Sequence, residues 1–336
     1  MMNIPYKALQ VTHEDGNISR KIVNLNTHDL AANDLLIRVH YSSVNYKDAL
    51  SAAGNKGVTR KFPHTPGIDA AGEIVSSNSA DFQPGDRVLI TGYDLGMNTW
   101  GGFGEYIRVP RHWALPLPEG LSFREAMAFG TAGLTAGLSV DELIKGGILP
   151  GAGKIAVSGA TGGVGSLAAT ILKKLGYTTV AISGKANDPF LADGLGFDEV
   201  FEREAFVAQF DQKPIGPTEF VGAVDTVSGK VLSGILKSTT RGGVVTCCGM
   251  VASADLQTSI FPFILRGVRL VGIDSVEIPL ARKKEVWRHL ASDWKPENMG
   301  VLCQEIILDE LCDVLDAVLK GQAKGRFVLR HFEPGQ

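Results

Sequence analysis

A glycine-rich turn after a short apolar run carries the strongest chemical signal in this sequence. The run Lys154–Ser158 has the composition of a buried strand, and Gly159-Ala-Thr-Gly-Gly-Val-Gly165 follows it and opens a helical pattern. Gly162 and Gly165 match the second and third glycines of a G-x-G-x-x-G turn, while Ala160 stands at the first. Such a turn brings backbone amides and the positive end of a helix dipole to a pyrophosphate. We therefore predict a dinucleotide site at this turn.

The end of the next predicted strand discriminates between the two nicotinamide dinucleotides. Thr178–Ser183 forms this strand, and Ser183-Gly184-Lys185 ends it with no carboxylate before Asp188. An acidic side chain there binds the ribose 2′-hydroxyl of NAD, whereas hydroxyl and cationic groups suit the 2′-phosphate of NADP. Arg203, just past the third strand, could supply a second cation. The pattern favours NADPH; the alternative is that Lys185 and Arg203 are solvated surface charges.

Several other reaction types lack their motifs in this chain. It has no G-x-x-x-x-G-K-[ST] loop and no G-x-S-x-G turn, and none of its six Tyr has a Lys four residues later. These absences exclude a phosphate-loop nucleotide hydrolase, a hydrolase with a nucleophile turn and a reductase with a Tyr–Lys pair. The seven His are scattered without the spacing of metal ligands.

Length, composition and charge narrow the class of protein further. A chain of 336 residues with 44% hydrophobic and 21% charged residues has the composition of a packed protein of about two domains. The 33 Lys and Arg against 36 Asp and Glu give a net charge of -3, which excludes a general nucleic-acid binder. The four Cys form no C-x-x-C pair, and the longest uncharged stretch, Ala126–Val140, is too short to cross a bilayer. Since the N-terminus lacks an apolar signal core, we expect a cytoplasmic protein with no membrane partner.

The N-terminal third of the chain predicts short strands separated by turns. Its β-rich runs are bounded by Gly, Pro, Asn or Asp, and they are Leu35–Tyr41, Ala71–Val75, Asp86–Ile90 and Glu105–Val109. Strands of this length and spacing favour a barrel or a sandwich.

From Lys154 onward, apolar strands alternate with helical patterns. A helix is predicted over Gly165–Leu175, and four further strands are predicted at Glu199–Phe201, Gly222–Val227, Gly243–Cys248 and Leu270–Asp274. Such alternation gives a doubly wound parallel sheet covered by helices. The tail predicts a strand over 304–308, a helix over 309–320 and a strand over 326–330, and we expect it to return to the first domain. We place the β-rich catalytic domain at 1–128 and 266–336, and the dinucleotide domain at 129–265.

With these domains, the turn Ala160–Gly165 resembles that of the medium-chain dehydrogenase/reductase family. Further strings resemble its quinone-oxidoreductase-like branch, and most closely the bacterial acryloyl-CoA reductases. They are Ser42-Ser-Val-Asn-Tyr-Lys-Asp48, Pro66-Gly-Ile-Asp-Ala-Ala-Gly72, Gly101-Gly-Phe-Gly-Glu105, Ser183-Gly-Lys185 and Pro262-Phe-Ile-Leu-Arg266. The resemblance spans nearly the whole chain. It implies an α/β fold with a GroES-like β-rich catalytic domain and a Rossmann domain built on a doubly wound parallel sheet.

The resemblance also implies that zinc is absent. Zinc-dependent members carry Cys where Tyr46 stands and Gly-His-Glu where Gly67-Ile68-Asp69 stands, and their four-cysteine lobe would fall near residues 90–115, which hold no Cys. Because zinc needs three or four N, S or O ligands in tight geometry, we expect no metal site.

By the same resemblance, Tyr46 is the candidate catalytic residue, and it is expected near the nicotinamide. Its hydroxyl could donate to a thioester oxygen or bind the nicotinamide ribose or amide; alternatively, the ring only packs beside the cofactor. Asn45 and Asp48 are expected to order the loop, and Asp69 to orient Tyr46 or Lys47.

Other cofactor contacts follow from the resemblance and from the rule that ligands lie at the carboxyl ends of parallel strands. The resemblance implies contacts with the pyrophosphate from Thr161, Gly162, Gly163 and Val164. Gly249, Met250 and Ser275 are expected on the nicotinamide side. Ile264 and Gln322 are candidates from the resemblance alone. Thr131 could reach the cofactor or serve ordinary helix packing.

The activity expected of a zinc-free member is hydride transfer to a conjugated carbon. The leading interpretation is an NADPH-dependent oxidoreductase that reduces the C=C bond of a short-chain enoyl-CoA, such as acryloyl-CoA, to propionyl-CoA. An NADPH-dependent quinone or enone reductase is the alternative, and a non-catalytic NADPH-binding protein is a third. The resemblance further implies a homodimer.

A basic loop offers a candidate site for the phosphates of CoA. The loop Gly54–Lys61 carries Lys56, Arg60 and Lys61 and follows Tyr46 closely in sequence. The alternative is a merely solvated basic loop.

Overall fold

The computed structural model describes residues 3–297 and 299–333. Its strands are β1 (Pro5–Glu14), β2 (Asn17–Asn26), β3 (Leu35–Ser43), β4 (Asp69–Ser77), β5 (Arg87–Thr91), β6 (Tyr106–Val109), β7 (Leu115–Pro116), β8 (Lys154–Ser158), β9 (Thr178–Ser183), β10 (Glu199–Glu202), β11 (Phe220–Asp225), β12 (Thr239–Cys247), β13 (Arg269–Gly272), β14 (Cys303–Ile306) and β15 (Arg326–Arg330). Its α-helices are α1 (Tyr46–Ala52), α2 (Phe123–Lys145), α3 (Gly163–Lys174), α4 (Arg203–Phe210), α5 (Gly229–Ser238), α6 (Phe261–Arg266), α7 (Leu280–Leu290), α8 (Met299–Leu302) and α9 (Leu311–Leu319).

The chain divides into two compact units. Unit 1 comprises Met1–Thr131, Val276–Ala291 and Cys303–Gln336, and unit 2 comprises Ala132–Ser275 and Ser292–Leu302. Unit 2 extends past the bound that we placed at residue 265, because β13 pairs in parallel with β12 and belongs to the same sheet.

A six-stranded parallel sheet forms the centre of unit 2. Its strands lie in the order β10-β9-β8-β11-β12-β13, so that β9 and β10 lie on one side of β8 and the later strands on the other. The switch point between β8 and β11 is where doubly wound sheets bind ligands. The predicted strands over 154–158 and 178–183 are confirmed residue for residue as β8 and β9, and the predicted α/β fold class is confirmed.

Unit 1 is built mainly of antiparallel strands. Its larger sheet has the order β14-β15-β3-β4-β5-β7, with β6 also paired to β3, and β1 and β2 form a separate two-stranded sheet. Leu35, Ile37 and Val39 alternate along β3 into a core in which all three are fully buried. Because β15 pairs with β3, the C-terminal segment completes the first domain, as the sequence predicts.

Two helices of functional interest have features that the sequence does not predict. The segment Tyr46–Ala52 forms α1 and not a loop, and Ala49 and Ala52 on its buried face pack against Leu311 and Leu315 of α9. Helix α2 contains a non-helical residue, Gly130, with φ 52 and ψ -155. In the part of the chain that the structure describes, no helix is both long and apolar enough to span a membrane.

Candidate active site

Tyr46 is the first residue of α1, and it is 45% exposed. The preceding residue, Asn45, caps the helix: its backbone N–H donates to Asp48 Oδ2 at 2.8 Å, and the Asp48 N–H donates to the Asn45 carbonyl at 3.0 Å. This exchange satisfies backbone groups that a helix N-terminus otherwise leaves without partners. The capping residues thus fix where α1 begins and where Tyr46 lies on unit 1.

Asp69, the first residue of β4, is fully buried and joins three segments of unit 1. Its Oδ2 accepts hydrogen bonds from Ser43 Oγ at 2.5 Å, Asn45 Nδ2 at 2.9 Å and the Thr131 N–H at 2.8 Å. Its Oδ1 accepts from Thr131 Oγ1 at 2.5 Å. Asp69 therefore acts on Tyr46 through the capping residue Asn45, whose side-chain amide donates to its carboxylate.

The break in α2 at Gly130 makes the Thr131 contact possible. A Cβ on Gly130 would collide with Ser43 Oγ and Asp69 Oδ2, and its positive φ also favours glycine. The amide and hydroxyl of Thr131 both donate to Asp69. In unit 1, Thr131 thus helps to hold the Asp69 carboxylate.

A buried cation completes this group. Arg326 of β15 is 3% exposed; its Nη1 donates to the Val44 carbonyl at 3.0 Å and to Asn45 Oδ1 at 3.3 Å. Burial lowers the pKa of Arg326, while the charges of Asp69 and Asp48 act in the opposite direction. The guanidinium therefore balances two buried carboxyl groups and also binds the helix cap.

Asp48 is fully buried, and its carboxyl titrates far from its ordinary range. Desolvation by burial, followed by the nearby Asp69 charge, raises its pKa to about 7, while hydrogen bonds from the backbone of Ile68 and from Asn45 act to lower it. We call Ser43, Asn45, Asp48, Asp69, Thr131 and Arg326 the buried polar cluster. The cluster fixes the N-terminus of α1 from its buried side, while the Tyr46 side chain stays partly exposed.

The predicted dinucleotide turn joins β8 to α3 in unit 2. Gly162 is the N-cap of α3, and its N–H donates to the Gly159 carbonyl at 2.9 Å. Gly165 lies so close to this carbonyl that a Cβ would collide with it. Thr161 is 8% exposed, and Gly162, Gly163 and Val164 are partly exposed. The turn thus has the backbone arrangement that suits a pyrophosphate, with the first-turn amides of α3 lacking helical partners.

The predicted readers of the 2′-phosphate come together at the end of β9. Ser183 is 4% exposed, and its Oγ accepts the Lys185 N–H at 3.0 Å. A Cβ on Gly184 would lie 3.2 Å from Arg203 Cζ, so the guanidinium packs directly against the Gly184 backbone. The same guanidinium donates from Nη2 to Glu204 Oε1 at 2.9 Å, which places a carboxylate beside the predicted phosphate site.

The remaining predicted cofactor residues fall in different places. Gly249 and Met250 follow β12, and Ser275, which is 7% exposed, follows β13, so these three lie beyond carboxyl ends of the parallel sheet. Ile264 lies in α6 and is 65% exposed. Gln322 belongs to unit 1 and lies exposed after α9.

Asp225, at the carboxyl end of β11, was not predicted as a site residue. It is fully buried, and it accepts hydrogen bonds from Ser158 Oγ at 2.6 Å and from the Ser228 N–H at 2.8 Å. Burial raises the pKa of this carboxyl. Asp225 thus links the end of β8, just before the glycine-rich turn, to the segment after β11. The available signal was a single acidic residue at the end of an apolar strand that adjoins the switch point.

The donor set in the described residues does not fit a zinc ion. Among them, no group of three or more His, Cys, Asp or Glu side chains could hold a metal. Asp48 and Asp69 face amide, hydroxyl and guanidinium donors and not the His and Cys ligands that zinc prefers.

Two family models match parts of the chain, and related proteins match nearly all of it. The Alcohol dehydrogenase GroES-like domain matches residues 31–119, and the Zinc-binding dehydrogenase model matches residues 163–292. The putative quinone oxidoreductase YhfP of Bacillus subtilis is 39% identical over 98% of this chain and 100% of its own length. The probable acrylyl-CoA reductase AcuI of Escherichia coli is 39% identical over 96% of this chain and 99% of its own.

Solved structures agree over the same length. The Salmonella enterica yhdH oxidoreductase in complex with NADP has a TM-score of 0.93 and 40% identity, and the match covers 96% of this chain and 99% of that chain. The Bacillus subtilis protein yhfP with NAD bound also has a TM-score of 0.93 and 40% identity, over 97% and 99%. These related structures therefore include one with each dinucleotide.

Proposed function

This chain belongs to the medium-chain dehydrogenase/reductase family, and we propose that it uses NADPH to reduce the C=C bond of a short-chain enoyl-CoA such as acryloyl-CoA. The full-length similarity to the probable acrylyl-CoA reductase of Escherichia coli is the observation that carries this choice. The residues of the two units support the cofactor and the chemistry separately.

The residues of unit 2 fit NADPH. The amides at the start of α3 would bind the pyrophosphate, while Ser183, Lys185 and Arg203 would bind the 2′-phosphate. The close packing of Arg203 on Gly184 supports this assignment, because it brings a guanidinium to the end of β9, where no carboxylate ends the strand. NADPH, when bound, supplies a hydride for a conjugated carbon.

Unit 1 supplies the proposed donor to the substrate. During the reduction, negative charge develops on the thioester oxygen, and a fixed hydrogen-bond donor stabilises it. We assign this role to the Tyr46 hydroxyl, because the side chain is partly exposed while the buried polar cluster fixes the helix that carries it. In Tyr46→Phe, a fall in kcat with KM for NADPH unchanged supports this role, whereas a rise in that KM alone assigns Tyr46 to the cofactor.

The basic loop after α1 is the proposed contact for the CoA phosphates. Thr59 is fully buried, and its Oγ1 lies 2.7 Å from Ser51 Oγ of α1, so the loop is anchored to the helix that carries Tyr46. Lys56, Arg60 and Lys61 are exposed around this anchor. Three cations on an anchored loop suit the several phosphates of CoA.

A quinone or enone reductase is the second candidate. The 39% identity to a protein named putative quinone oxidoreductase favours it, at a coverage as complete as that of the acrylyl-CoA reductase. Both activities add a hydride to an electrophilic conjugated system, so substrate trials must separate them.

We infer that the protein forms a homodimer through unit 2. Strand β13 is an edge of the parallel sheet, and unpaired strand edges readily pair with another chain. Exposed apolar side chains accompany it in unit 2: Met250 is 70% exposed, Val251 69%, Ile260 61% and Ile264 65%. Apolar patches of this kind mark interaction surfaces. Sedimentation velocity tests the inference, and a monomer at micromolar concentration contradicts it.

The deciding experiment is a panel of substrates, in which the absorbance of the reduced dinucleotide measures turnover. Acryloyl-CoA, crotonyl-CoA and a simple quinone are each tried with NADPH and NADH, and an alcohol is tried with NADP+ and NAD+. Each assay is run before and after prolonged chelation. We expect the highest kcat/KM for acryloyl-CoA with NADPH, unchanged by the chelator. Turnover of the quinone alone would favour the second candidate, and no turnover would leave a non-catalytic NADPH-binding protein. An activity that is lost on chelation and restored by zinc would contradict the assignment to a zinc-free branch.

A further inference from the structure

Arg203, one of the proposed 2′-phosphate ligands, already has an acidic partner. Its Nε and Nη2 both donate to Glu204 Oε1, at 3.1 Å and 2.9 Å. The two residues are consecutive at the start of α4, so the pair forms within one helical turn. The Nε–Nη2 edge of a guanidinium is one of those that bind an anion through two parallel hydrogen bonds. In this chain a carboxylate of the protein occupies that edge.

The position of Arg203 brings this carboxylate to the proposed phosphate site. Strand β10 pairs with β9 so that Glu202 lies opposite Ser183, and Arg203 follows directly. The guanidinium then packs on Gly184, the residue between the other two proposed phosphate ligands. The packing of Arg203 on Gly184 therefore also holds Glu204, the partner of Arg203, near the proposed phosphate site.

We propose that Glu204 lowers the preference of this chain for NADPH over NADH by competing with the 2′-phosphate for Arg203. The inference rests on the proposed NADPH site and adds a residue that weakens binding at it. A phosphate that reaches Arg203 must displace the carboxylate or share the guanidinium with it, and sharing brings two anions together. NADH carries a hydroxyl at this position and does not meet that cost. The chain thus discriminates less strongly than its cations alone would.

The exposure of the pair limits the size of this effect. The side chain of Arg203 is 47% exposed and that of Glu204 is 67% exposed. Exposed ion pairs are weak because water screens them, so a ligand can replace one partner at little cost. Removal of the carboxylate charge should therefore strengthen binding of a 2′-phosphate by about two- to fivefold.

Binding of nucleotide fragments tests the inference without turnover. Isothermal titration measures the affinities of adenosine 2′,5′-bisphosphate and 5′-AMP for wild type and Glu204→Gln. We expect the variant to bind the bisphosphate about two- to fivefold more tightly, with its affinity for 5′-AMP unchanged. The gain should shrink as salt is added, because a screened competitor matters less. Equal thermal midpoints would show that both proteins are equally folded.

Asp193→Asn is the matched control. It removes the same charge from an exposed position of unit 2 that lies outside the Arg203–Glu204 pair. We expect a smaller change in bisphosphate affinity than in Glu204→Gln. Equal gains in the two variants would trace the effect to general charge and overturn the inference.

The outcomes for the two proposals are separate. An unchanged bisphosphate affinity in Glu204→Gln overturns the competition, and a reduced affinity overturns it by showing that Glu204 orients Arg203. A wild type that binds the bisphosphate no better than 5′-AMP, together with a variant that does the same, contradicts the NADPH site itself.

Discussion

Asp48 gives unit 1 a dependence on pH that can be measured directly. Its carboxyl is fully buried, and desolvation together with the Asp69 charge raises its pKa from 3.8 to about 7. In the unfolded chain the carboxyl faces water, and its pKa returns to the ordinary value. Between these two values, the folded protein binds a proton that the unfolded chain releases.

The sign and size of the effect follow from proton linkage. Because the folded-state pKa is the higher one, the free energy of unfolding falls as pH rises from about 4 to about 7. The unfolded chain ionises Asp48 freely in that range, whereas the folded chain must ionise it in the interior or keep the proton. With pKa values of 3.8 and about 7, the free energy of unfolding should fall by about 2–3 kcal/mol between about pH 5 and about pH 8 because of this residue.

Scanning calorimetry of wild type and Asp48→Asn isolates this contribution. The substitution removes the titration and keeps the shape of the side chain, so the difference between the two midpoints at each pH cancels the other groups. From about pH 5 to about pH 8, we expect the wild-type midpoint of unit 1 to fall relative to the variant by roughly 5–10 °C. Asp309→Asn, at an exposed carboxylate, should show no such trend. A constant difference between wild type and Asp48→Asn across this range would refute the argument.

Three further predictions concern cations. Wild type should prefer NADPH to NADH by at least about tenfold in kcat/KM, since a charge-assisted phosphate contact contributes about 1.5–3 kcal/mol. Lys185→Asp should lower or reverse this ratio. An unchanged ratio would show that Lys185 does not bind the 2′-phosphate. Calorimetry of Arg326→Met should show a loss of about 3–5 kcal/mol because two carboxyl groups stay buried without their cation. Arg111→Met, at an ion pair with Asp81 in which both side chains are more than half exposed, should cost about 1 kcal/mol or less; equal losses would contradict the buried network. Lys56→Ala combined with Arg60→Ala should raise KM for acryloyl-CoA and spare a small quinone or a truncated thioester, while equal losses for all substrates would mark the loop as structural.

The parts of the fold that local patterns determine were predictable. Strands β8 and β9 have buried apolar centres, 155–157 and 180–182, because a parallel sheet with helices on both faces buries both sides of each strand. Such runs have sharp ends in sequence, and the structure begins and ends both strands at the predicted residues. The glycine-rich turn was predictable for the same reason, since close backbone packing at Gly165 leaves no room for a side chain.

The start of α1 was not predictable from local pattern. A helix of only seven residues has little intrinsic stability, and this one depends on a cap whose partner, Asp69, is far along the chain. Arg326 lies further still, and an Arg in a short C-terminal strand has the sequence appearance of a surface charge. The resemblance drew attention to Asn45, Asp48 and Asp69, but only the fold shows that one buried guanidinium holds them.

Arg326 and Arg203 each lie beside carboxyl groups, but Arg326 is buried and Arg203 is exposed to water. Arg326 lies with Asp48 and Asp69 away from water, so removal of either sign leaves an uncompensated buried charge, and the group serves as a fixed support. Arg203 and Glu204 form a similar pair in solvent, where water replaces a lost partner at little cost. A ligand can therefore exchange with Glu204, whereas no ligand can exchange with the carboxylates around Arg326 without unfolding the site. Exposure, and not the presence of an Arg–carboxylate pair, decides which guanidinium is available to a phosphate.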